Sequence, residues 1–299
     1  MIEDIESATP ALCRLHLASE LRQLRLEAGL TAAEVVKTLL WSPSKLNRLE
    51  SAENSVVEPA DVMALCKIYQ ANDETLAILK GYAEVTKTKR DWWNSSKYRP
   101  AVRPQFRAFL GLEATASTLH TYQSEFVPGL LQTEAYVRVI HQRAHEGLSD
   151  EEIDRLVSVR MARQEALTRK DSPLRLTAVI NESVLRRRVG SKTVMREQLA
   201  HIARVASQAN VRVQVVPFEA GEHDGMNGSF TVLQFPDRIL KPIVYLENLA
   251  DTWVIRRETD VRRYEDVFNE LEALAPGAQE SLNMIKNASK EFDTDDHHG

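Results

Sequence analysis

Between residues 17 and 85, apolar side chains recur every three or four positions in five short segments, which is the spacing of amphipathic helices. Helix-capping residues separate these segments. Thr31 precedes the second segment and Glu34 follows three residues later, which is the pattern of a capping box. Ser42 precedes the third segment, and Pro43 stands at its first helical position, where proline loses no hydrogen bond. The pattern predicts a compact domain of five short helices over residues 17–85.

The pattern changes after residue 107. Alternating positions rich in β-branched residues predict strands at residues 174–180, 211–217, 229–235 and 243–247. Helical spacing predicts helices at residues 106–120, 133–145, 150–170, 191–209, 258–274 and 276–289. Because helices come first and several strands follow, we expect an α+β domain with a small, largely antiparallel sheet over residues 108–290. The remaining predicted segments are an N-terminal extension (1–16), a basic linker (86–107) and a disordered acidic tail (291–299).

The third helix carries the most informative residues. On a helical wheel Leu46 and Leu49 share one face, which must pack on the first two helices. The other side chains point away from that face, with Lys45 on the flank: Ser44, Asn47, Arg48 and Ser51. Arginine can bond guanine through two hydrogen bonds and asparagine can bond adenine, whereas hydroxyls and lysine suit phosphates. An ordinary exposed helix would also be polar here, but the tight Ser-Pro-Ser start favours a DNA-reading helix.

Residues 17–81 resemble the lambda-repressor-like (XRE-type) helix-turn-helix family. The matching segments are Leu21-Arg-Gln-Leu-Arg25, Ala28-Gly-Leu-Thr31, Ser42-Pro-Ser-Lys-Leu-Asn-Arg-Leu-Glu50 and Pro59. The resemblance implies that the third helix enters the major groove of double-stranded DNA. The residues then expected to bind DNA are Thr31, Ser42, Ser44, Lys45, Asn47, Arg48 and Ser51.

Two features of the same segment favour an alternative, a protein-interaction (antitoxin-like) module with weak or lost DNA binding. Ala32 stands where the family often has a glutamine that reaches a phosphate, and Leu40-Trp41 occupies a turn that often holds glycine. In addition, residues 12–85 contain 8 Lys and Arg against 10 Asp and Glu, a balance of −2, whereas DNA binders usually show a basic surface.

The basic charge lies instead in residues 86–107, which hold 7 Lys and Arg against one Asp, a balance of +6. Lys87, Lys89 and Arg90 can extend a DNA footprint through phosphate contacts. Alternatively, the segment is a linker that docks on the acidic C-terminal domain. Trp92 and Trp93 can stack on a base or a ligand, although packing at a domain junction is the commoner role of such a pair.

Five segments in the remainder of the chain, between about residues 100 and 290, carry a second resemblance. They are Phe126-Val-Pro-Gly-Leu-Leu-Gln-Thr-Glu-Ala-Tyr136, Arg160-Met-Ala-Arg-Gln164, Leu185-Arg-Arg-Arg-Val-Gly190, Gln214-Val-Val-Pro217 and Gly228-Ser-Phe230. Together they resemble a C-terminal domain found behind such helix-turn-helix domains in actinobacterial regulators. Such regulators are often encoded beside a small partner protein, and the pair is described as antitoxin-like. The resemblance therefore implies a domain that binds a small adjacent-gene partner protein or a signal.

Two further groups in this domain are candidates for that partner or ligand site, together with Trp92 and Trp93. Arg186, Arg187 and Arg188 can bind an anion or an acidic partner, or they can be a charge cluster at a helix end. His223 lies beside Asp224 in a glycine-rich segment that also suits a plain connection between strands. Consecutive residues in such a loop are rarely a catalytic dyad.

The sequence shows no motif for catalysis, for metal binding or for cofactor binding. The sequence contains no phosphate-binding glycine loop, nucleophile elbow or zinc-finger spacing. His297-His298 follows Asp295-Asp296, but the spacing of a defined metal site is absent. We therefore expect no catalytic residues, no metal and no cofactor, and the protein is not expected to be an enzyme.

Three features of the sequence bear on the cellular compartment of the protein. No apolar run approaches the roughly 18 residues that span a bilayer, so no membrane association is expected. The first residues carry no signal-peptide pattern. Cys13 and Cys66 lie in apolar helical patterns and are expected to be reduced core residues. The sequence thus predicts a cytoplasmic transcriptional regulator, and a homodimer would read a pseudo-palindromic operator.

Overall fold

The computed structural model describes residues 9–52, 56–89, 91–170, 172–236, 241–248 and 252–292. These residues fall into two compact units. The first contains the described residues up to 99 together with 106–115, and the second contains residues 100–105 and most of the chain from 116 onward.

The first unit is helical. Its helices are α1 (Pro10–Glu27), α2 (Ala32–Leu39), α3 (Pro43–Glu50), α4 (Pro59–Ile68), α5 (Asp73–Thr88) and α6 (Pro104–Thr115). The first five are the helices predicted from the apolar spacing, so the helical helix-turn-helix region fits the prediction. Their core is a set of almost fully buried leucines that includes Leu17, Leu21, Leu46, Leu65 and Leu79.

The second unit contains the remaining helices and all the strands of the described residues. The helices are α7 (Glu134–Ala144), α8 (Asp150–Arg163), α9 (Ser183–Arg186), α10 (Lys192–Val205), α11 (Glu258–Leu274) and α12 (Ala278–Glu291). The strands are β1 (Thr118–Gln123), β2 (Arg175–Asn181), β3 (Val211–Val216), β4 (Phe230–Gln234), β5 (Ile243–Glu247) and β6 (Thr252–Ile255).

The strands form one mixed sheet, in the order β3-β2-β1-β4-β5-β6. β1, β2 and β3 are parallel, with Leu119 opposite Leu176 and Ala178 opposite Val213. The pairs β1–β4, β4–β5 and β5–β6 are antiparallel. The prediction of a small, largely antiparallel sheet is therefore wrong.

The error comes from β1, which was not predicted and whose first three residues were assigned to the helix predicted over residues 106–120. That helix, α6, ends at Thr115, and the chain then enters the sheet beside both β2 and β4. The connection from β1 to β2 runs through α7 and α8, and the connection from β2 to β3 runs through α10. Such long helical crossovers return the chain in the same direction, which makes these three strands parallel. The short strand β6 was also missed.

The outer edge of β3 is covered by the C-terminal helices. The Val215 backbone N–H donates to Ser281 Oγ at 3.1 Å, and the Gln214 side-chain amide donates to the carbonyls of Glu272 and Pro276 at 3.3 and 3.1 Å. An uncovered edge strand would offer these groups to another chain. The α11–α12 connection thus protects one edge of the sheet.

Two smaller expectations concern cysteines and membranes. Cys13 and Cys66 are buried and free, as predicted. Burial raises the pKa of the Cys13 thiol to about 12, so it stays protonated at neutral pH. None of the helices in the described ranges combines the length and apolar character needed to cross a membrane.

Candidate functional site

The helix α3 has one buried and one exposed face. Leu46 and Leu49 are buried in the core of the first unit, whereas Ser44, Asn47 and Arg48 are exposed. Within the described part of the chain, the side chains of Asn47 and Arg48 have no hydrogen-bond or ion-pair partner. Their donors and acceptors are therefore available to an external ligand.

Lys45, which was expected at a phosphate, has partners within the protein. Its ammonium group lies 2.7 Å from a carboxylate oxygen of Asp61 at the start of α4, and 3.9 Å from the centre of the Trp41 ring. Asp61 was not among the predicted site residues, although the sequence shows this acidic residue in the first turn of the next helix. Lys45 must leave or share these contacts to reach DNA.

The hydroxyls predicted to bind DNA also have local contacts. Ser42 occupies the N-cap position of α3, but its Oγ lies 3.1 Å from Ser44 Oγ and makes no capping hydrogen bond. Ser51 is half-buried and its hydroxyl donates to the Arg48 carbonyl at 3.5 Å. Ser42 and Ser44 are exposed.

Thr31 forms the predicted capping box with Glu34. Its Oγ1 accepts from the Glu34 N–H at 3.3 Å, and its backbone N–H donates to the Glu34 carboxylate at 2.8 Å. The hydroxyl also donates to that carboxylate at 2.7 Å. These hydrogen bonds lower the pKa of Glu34 and hold a negative charge at the exposed start of α2. A phosphate approaching Thr31 would meet this charge.

A buried ion pair joins the last turn of α3 to α1. Arg25 donates to both carboxylate oxygens of Glu50, at 2.7 and 2.9 Å, and to the carbonyl of Leu30 at 2.9 Å. The pairing with Glu50 raises the pKa of Arg25. This contact fixes the orientation of α3, and the sequence analysis did not assign it, because the two residues are 25 positions apart.

The basic segment after α5 is partly engaged with the first unit. Lys87 pairs with Glu58 at 2.7 Å on the surface, Lys89 is exposed, and Arg90 lies outside the described residues. Asp91 is buried, accepts the Ala11 N–H at 3.2 Å and pairs with Arg14 at 2.8 Å. Asp91 therefore caps the first turn of α1 from a distant part of the chain.

The tryptophan pair packs within the same unit. Trp93 is only 2% exposed, and Trp92 is half-buried with its ring edge-on to those of Trp93 and Tyr98. Trp93 is thus not accessible for stacking on a base or a ligand. This agrees with the packing interpretation of the pair.

In the second unit, three loops meet where the parallel strands end. The loop cluster, defined as residues 124–128, 182–190 and 217–229, follows the carboxyl ends of β1, β2 and β3. Ser183 donates to the carbonyl of Ser124, and the Phe218 N–H donates to Glu182 at 2.9 Å. The carboxyl edge of parallel strands is where open α/β sheets bind ligands.

The loop cluster exposes apolar side chains, which proteins usually bury. Phe126, Phe218 and Met226 are 49%, 58% and 71% exposed. Arg187 pairs with Glu125 at 2.6 Å, Arg186 pairs with Glu182 and Glu291, and Arg188 is exposed. Three exposed large apolar side chains among charged residues are typical of an interaction surface.

His223 also lies in the loop cluster. It is half-buried, and its ring stands edge-on to that of Tyr122 with the centroids 5.9 Å apart. No hydrogen bond joins it to Asp224 in the described structure. The structure thus brings the arginine run and His223 to one edge of the sheet, whereas Trp92 and Trp93 belong to the first unit.

Two family models match the chain, and the second match begins at residue 106, in the helix α6 of the first unit. Residues 16–79 match a family described as Helix-turn-helix domain, and residues 106–287 match one described as Domain of unknown function (DUF5753). The second match covers more than half of the chain. The chain belongs to the DUF5753 family.

The helix-turn-helix match supports the prediction of a DNA-binding regulator. The DUF5753 description assigns no function, so the antitoxin-like interpretation of that region stays a prediction. No curated protein and no solved structure matches the chain significantly. Within the described residues, no group of three or more His, Cys, Asp or Glu could hold a metal, and His297-His298 lies outside them.

Several glutamines of the DUF5753 region hold its Val-Pro-Gly-Leu-Leu segment in place. The Gln132 side chain donates to the Val127 carbonyl at 2.7 Å, and the Gln198 side chain donates to the Leu131 carbonyl at 2.6 Å. Gln164 donates to the backbone carbonyl of Gln132 at 2.6 Å. Gln132 and Gln164 belong to the motif segments and Gln198 lies outside them, and all three side chains support the loop structure.

Proposed function

We propose that the protein is a cytoplasmic, sequence-specific DNA-binding transcriptional regulator. The exposed face of α3 carries this proposal, because Asn47 and Arg48 have no partner among the described residues while Leu46 and Leu49 anchor the same helix in the core. Asn47 and Arg48 would read base edges in the major groove. The Thr31, Ser42, Ser44, Lys45 and Ser51 side chains would contact phosphates. No catalytic step is part of the proposal.

The active species in this proposal is a homodimer. A two-fold dimer places two recognition helices one DNA turn, about 34 Å, apart and therefore reads a pseudo-palindromic operator. Lys87, Lys89 and Arg90 would add phosphate contacts and steepen the salt dependence of binding. A strictly monomeric protein on operator DNA in analytical ultracentrifugation would contradict the dimer.

The DUF5753 region would bind a small adjacent-gene partner protein or a signal. The loop cluster supports this part of the proposal, because it exposes Phe126, Phe218 and Met226 and also contains Arg188 and His223. Replacement of exposed aromatic anchors commonly costs a protein interface more than any rim contact. In the antitoxin-like pairing that we propose, the small partner protein would bind to the loop cluster.

Selection of genomic DNA fragments at physiological salt tests the DNA-binding proposal. We expect the wild type to enrich one pseudo-palindromic motif and the Asn47→Ala/Arg48→Ala variant to lose about a hundredfold in affinity for it, since each base contact contributes roughly 1–3 kcal/mol. The matched control is Gln142→Ala/Arg143→Ala, an exposed amide–arginine pair on α7. It should enrich the same motif as the wild type. If the Asn47→Ala/Arg48→Ala variant enriched the motif as well as the wild type does, α3 would not be the recognition helix.

The alternative function, an antitoxin-like interaction module with weak DNA binding, has two observations in its favour. The Glu34 carboxylate stands beside Thr31, and Lys45 is already paired with Asp61. Salt distinguishes the two functions. Operator binding should weaken steeply with rising salt yet stay stronger than binding to random DNA, whereas partner binding through apolar surface should change little.

Glu34→Gln is expected to strengthen DNA binding at low salt by about three- to fivefold, because it removes a negative charge where a phosphate would approach Thr31. Glutamine can still complete a capping box, so α2 should keep its stability. Fluorescence anisotropy with an operator duplex measures the affinity. Glu84→Gln, on the exposed face of α5, is the control for a change in net charge. Equal affinities for Glu34→Gln and wild type would indicate that no phosphate approaches Thr31.

A further inference from the structure

A pocket of about 330 Å³ lies in the second unit, between residues 100–103 and the helices α7 and α8. This volume is within the range of small-molecule sites. The side chains of Leu148 and Leu156 form an apolar part of its lining, and Arg103, His145 and Arg155 bring nitrogen donors to it. The pocket thus combines an apolar wall with a small number of polar groups, as binding sites for small molecules usually do.

The charges at the pocket are unbalanced toward the positive. Arg103 is exposed and has no ion-pair partner within the described ranges. Arg155 lies 3.4 Å from Glu151, but both side chains are largely in solvent, where such a pair is weak. Glu152, the acidic side chain of the lining, accepts from the N–H and the hydroxyl of Ser149 at 2.8 and 2.9 Å, and these hydrogen bonds lower its pKa and keep it anionic. Two arginines therefore face one carboxylate in the lining.

The arginine charges near the pocket also act on His141, a neighbour of the lining residue His145. His141 stacks on His145, with the ring centroids 5.8 Å apart. The pKa of His141 is lowered to about 4, first by burial and then by the positive charges of Arg160, His145 and Arg103. His141 is therefore neutral at pH 7. The part of this shift that comes from Arg160 and Arg103 shows that arginine charges act on the His141–His145 pair.

We propose that this pocket binds a small organic anion, a carboxylate carried on an apolar body. The carboxylate would accept charge-assisted hydrogen bonds from Arg103 and Arg155, and the apolar body would cover Leu148 and Leu156.

The regulatory meaning of this site rests on the proposed function. Residues 100–105 interrupt the first unit in sequence, since residues up to 99 and 106–115 both belong to it. A ligand that holds Arg103 therefore binds a segment that is continuous in sequence with the first unit on both sides. The anion would be the signal to which the regulator responds.

Isothermal titration calorimetry of the full chain without DNA tests the site. The probes are 2-naphthoate and its uncharged analogue 2-naphthamide. We expect 2-naphthoate to bind with a dissociation constant below about 1 mM, as an anion of this size can, and 2-naphthamide to bind at least tenfold more weakly. Arg103→Gln should weaken 2-naphthoate binding at least tenfold. Arg143→Gln should not change it, because Arg143 lies on α7 outside the lining and pairs with Glu146.

Equal binding of the two probes, or unchanged binding by Arg103→Gln, would overturn the assignment of an anion site, as would the absence of any binding heat. Because the titration contains no DNA, these outcomes are independent of whether the proposed operator binding is right. Anisotropy with the selected operator, with and without 2-naphthoate, then measures the coupling. An unchanged operator affinity would overturn the role as a signal and leave the site itself intact.

Discussion

The Asp91→Ala variant is expected to lower the free energy of unfolding of the first unit by about 3–5 kcal/mol, the usual cost of breaking a buried ion pair. The Asp91 side chain is 1% exposed. It accepts the backbone N–H of Ala11 and an N–H of Arg14, so alanine would leave the Ala11 N–H without its acceptor and Arg14 without this carboxylate. The predicted domain of residues 17–85 excludes Asp91 and both of its partners, Ala11 and Arg14, so a fragment with those bounds would lack this contact altogether.

Hydrogen exchange of the α1 amides measures this effect within the first unit. Asp91→Asn is the informative control, because it keeps an acceptor for the Ala11 N–H but removes the charge opposite Arg14. We expect an intermediate loss of protection for it. Protection of α1 equal to that of the wild type in Asp91→Ala would show that Asp91 does not stabilise the helix.

The Glu50→Ala variant is expected to destabilise the first unit by about 3 kcal/mol and to weaken operator binding. The Arg25 and Glu50 side chains are each only 11% exposed, and alanine would leave the Arg25 guanidinium without its bidentate partner. Because Glu50 is the last residue of α3, the loss would also loosen the helix that presents Asn47 and Arg48. Urea unfolding monitored by circular dichroism gives the stability change.

A double variant separates the charge from the packing. In Arg25→Met/Glu50→Leu, no charge is left without a partner, and apolar replacement of a buried ion pair is often neutral or stabilising. We expect it to recover most of the stability that Glu50→Ala loses. If Glu50→Ala alone unfolds at the wild-type urea concentration, the ion pair contributes nothing to the stability of the unit.

Local signals were enough to predict the helices of the first unit. The capping box of Thr31 and Glu34 and the proline that starts α3 act within one helical turn, and the apolar spacing identifies the buried face. The polar face of α3 could be predicted for the same reason, since Leu46 and Leu49 determine which side chains point outward. The roles of those outward side chains stay predictions.

The sheet could be predicted only in part. The strands β2, β3, β4 and β5 have clear alternation and were found near their observed positions. The strand β1 was missed because its residues continue the apolar spacing of α6, and a strand's identity depends on partners that are distant in sequence. Without β1 the helical crossovers to β2 and β3 could not be recognised, and the sheet direction was predicted wrongly.

By itself, the sequence determined where the helices α1 to α5 lie, which of them resembles a DNA reader and which face of that helix is polar. Those properties depend on residues within a few positions of one another. Only the tertiary structure decided that Lys45 pairs with Asp61, that Arg25 holds Glu50, that Asp91 caps α1 and that the three loops meet at one edge of the sheet. These contacts join residues far apart in the chain, and their partners are selected by the packing of whole helices and strands.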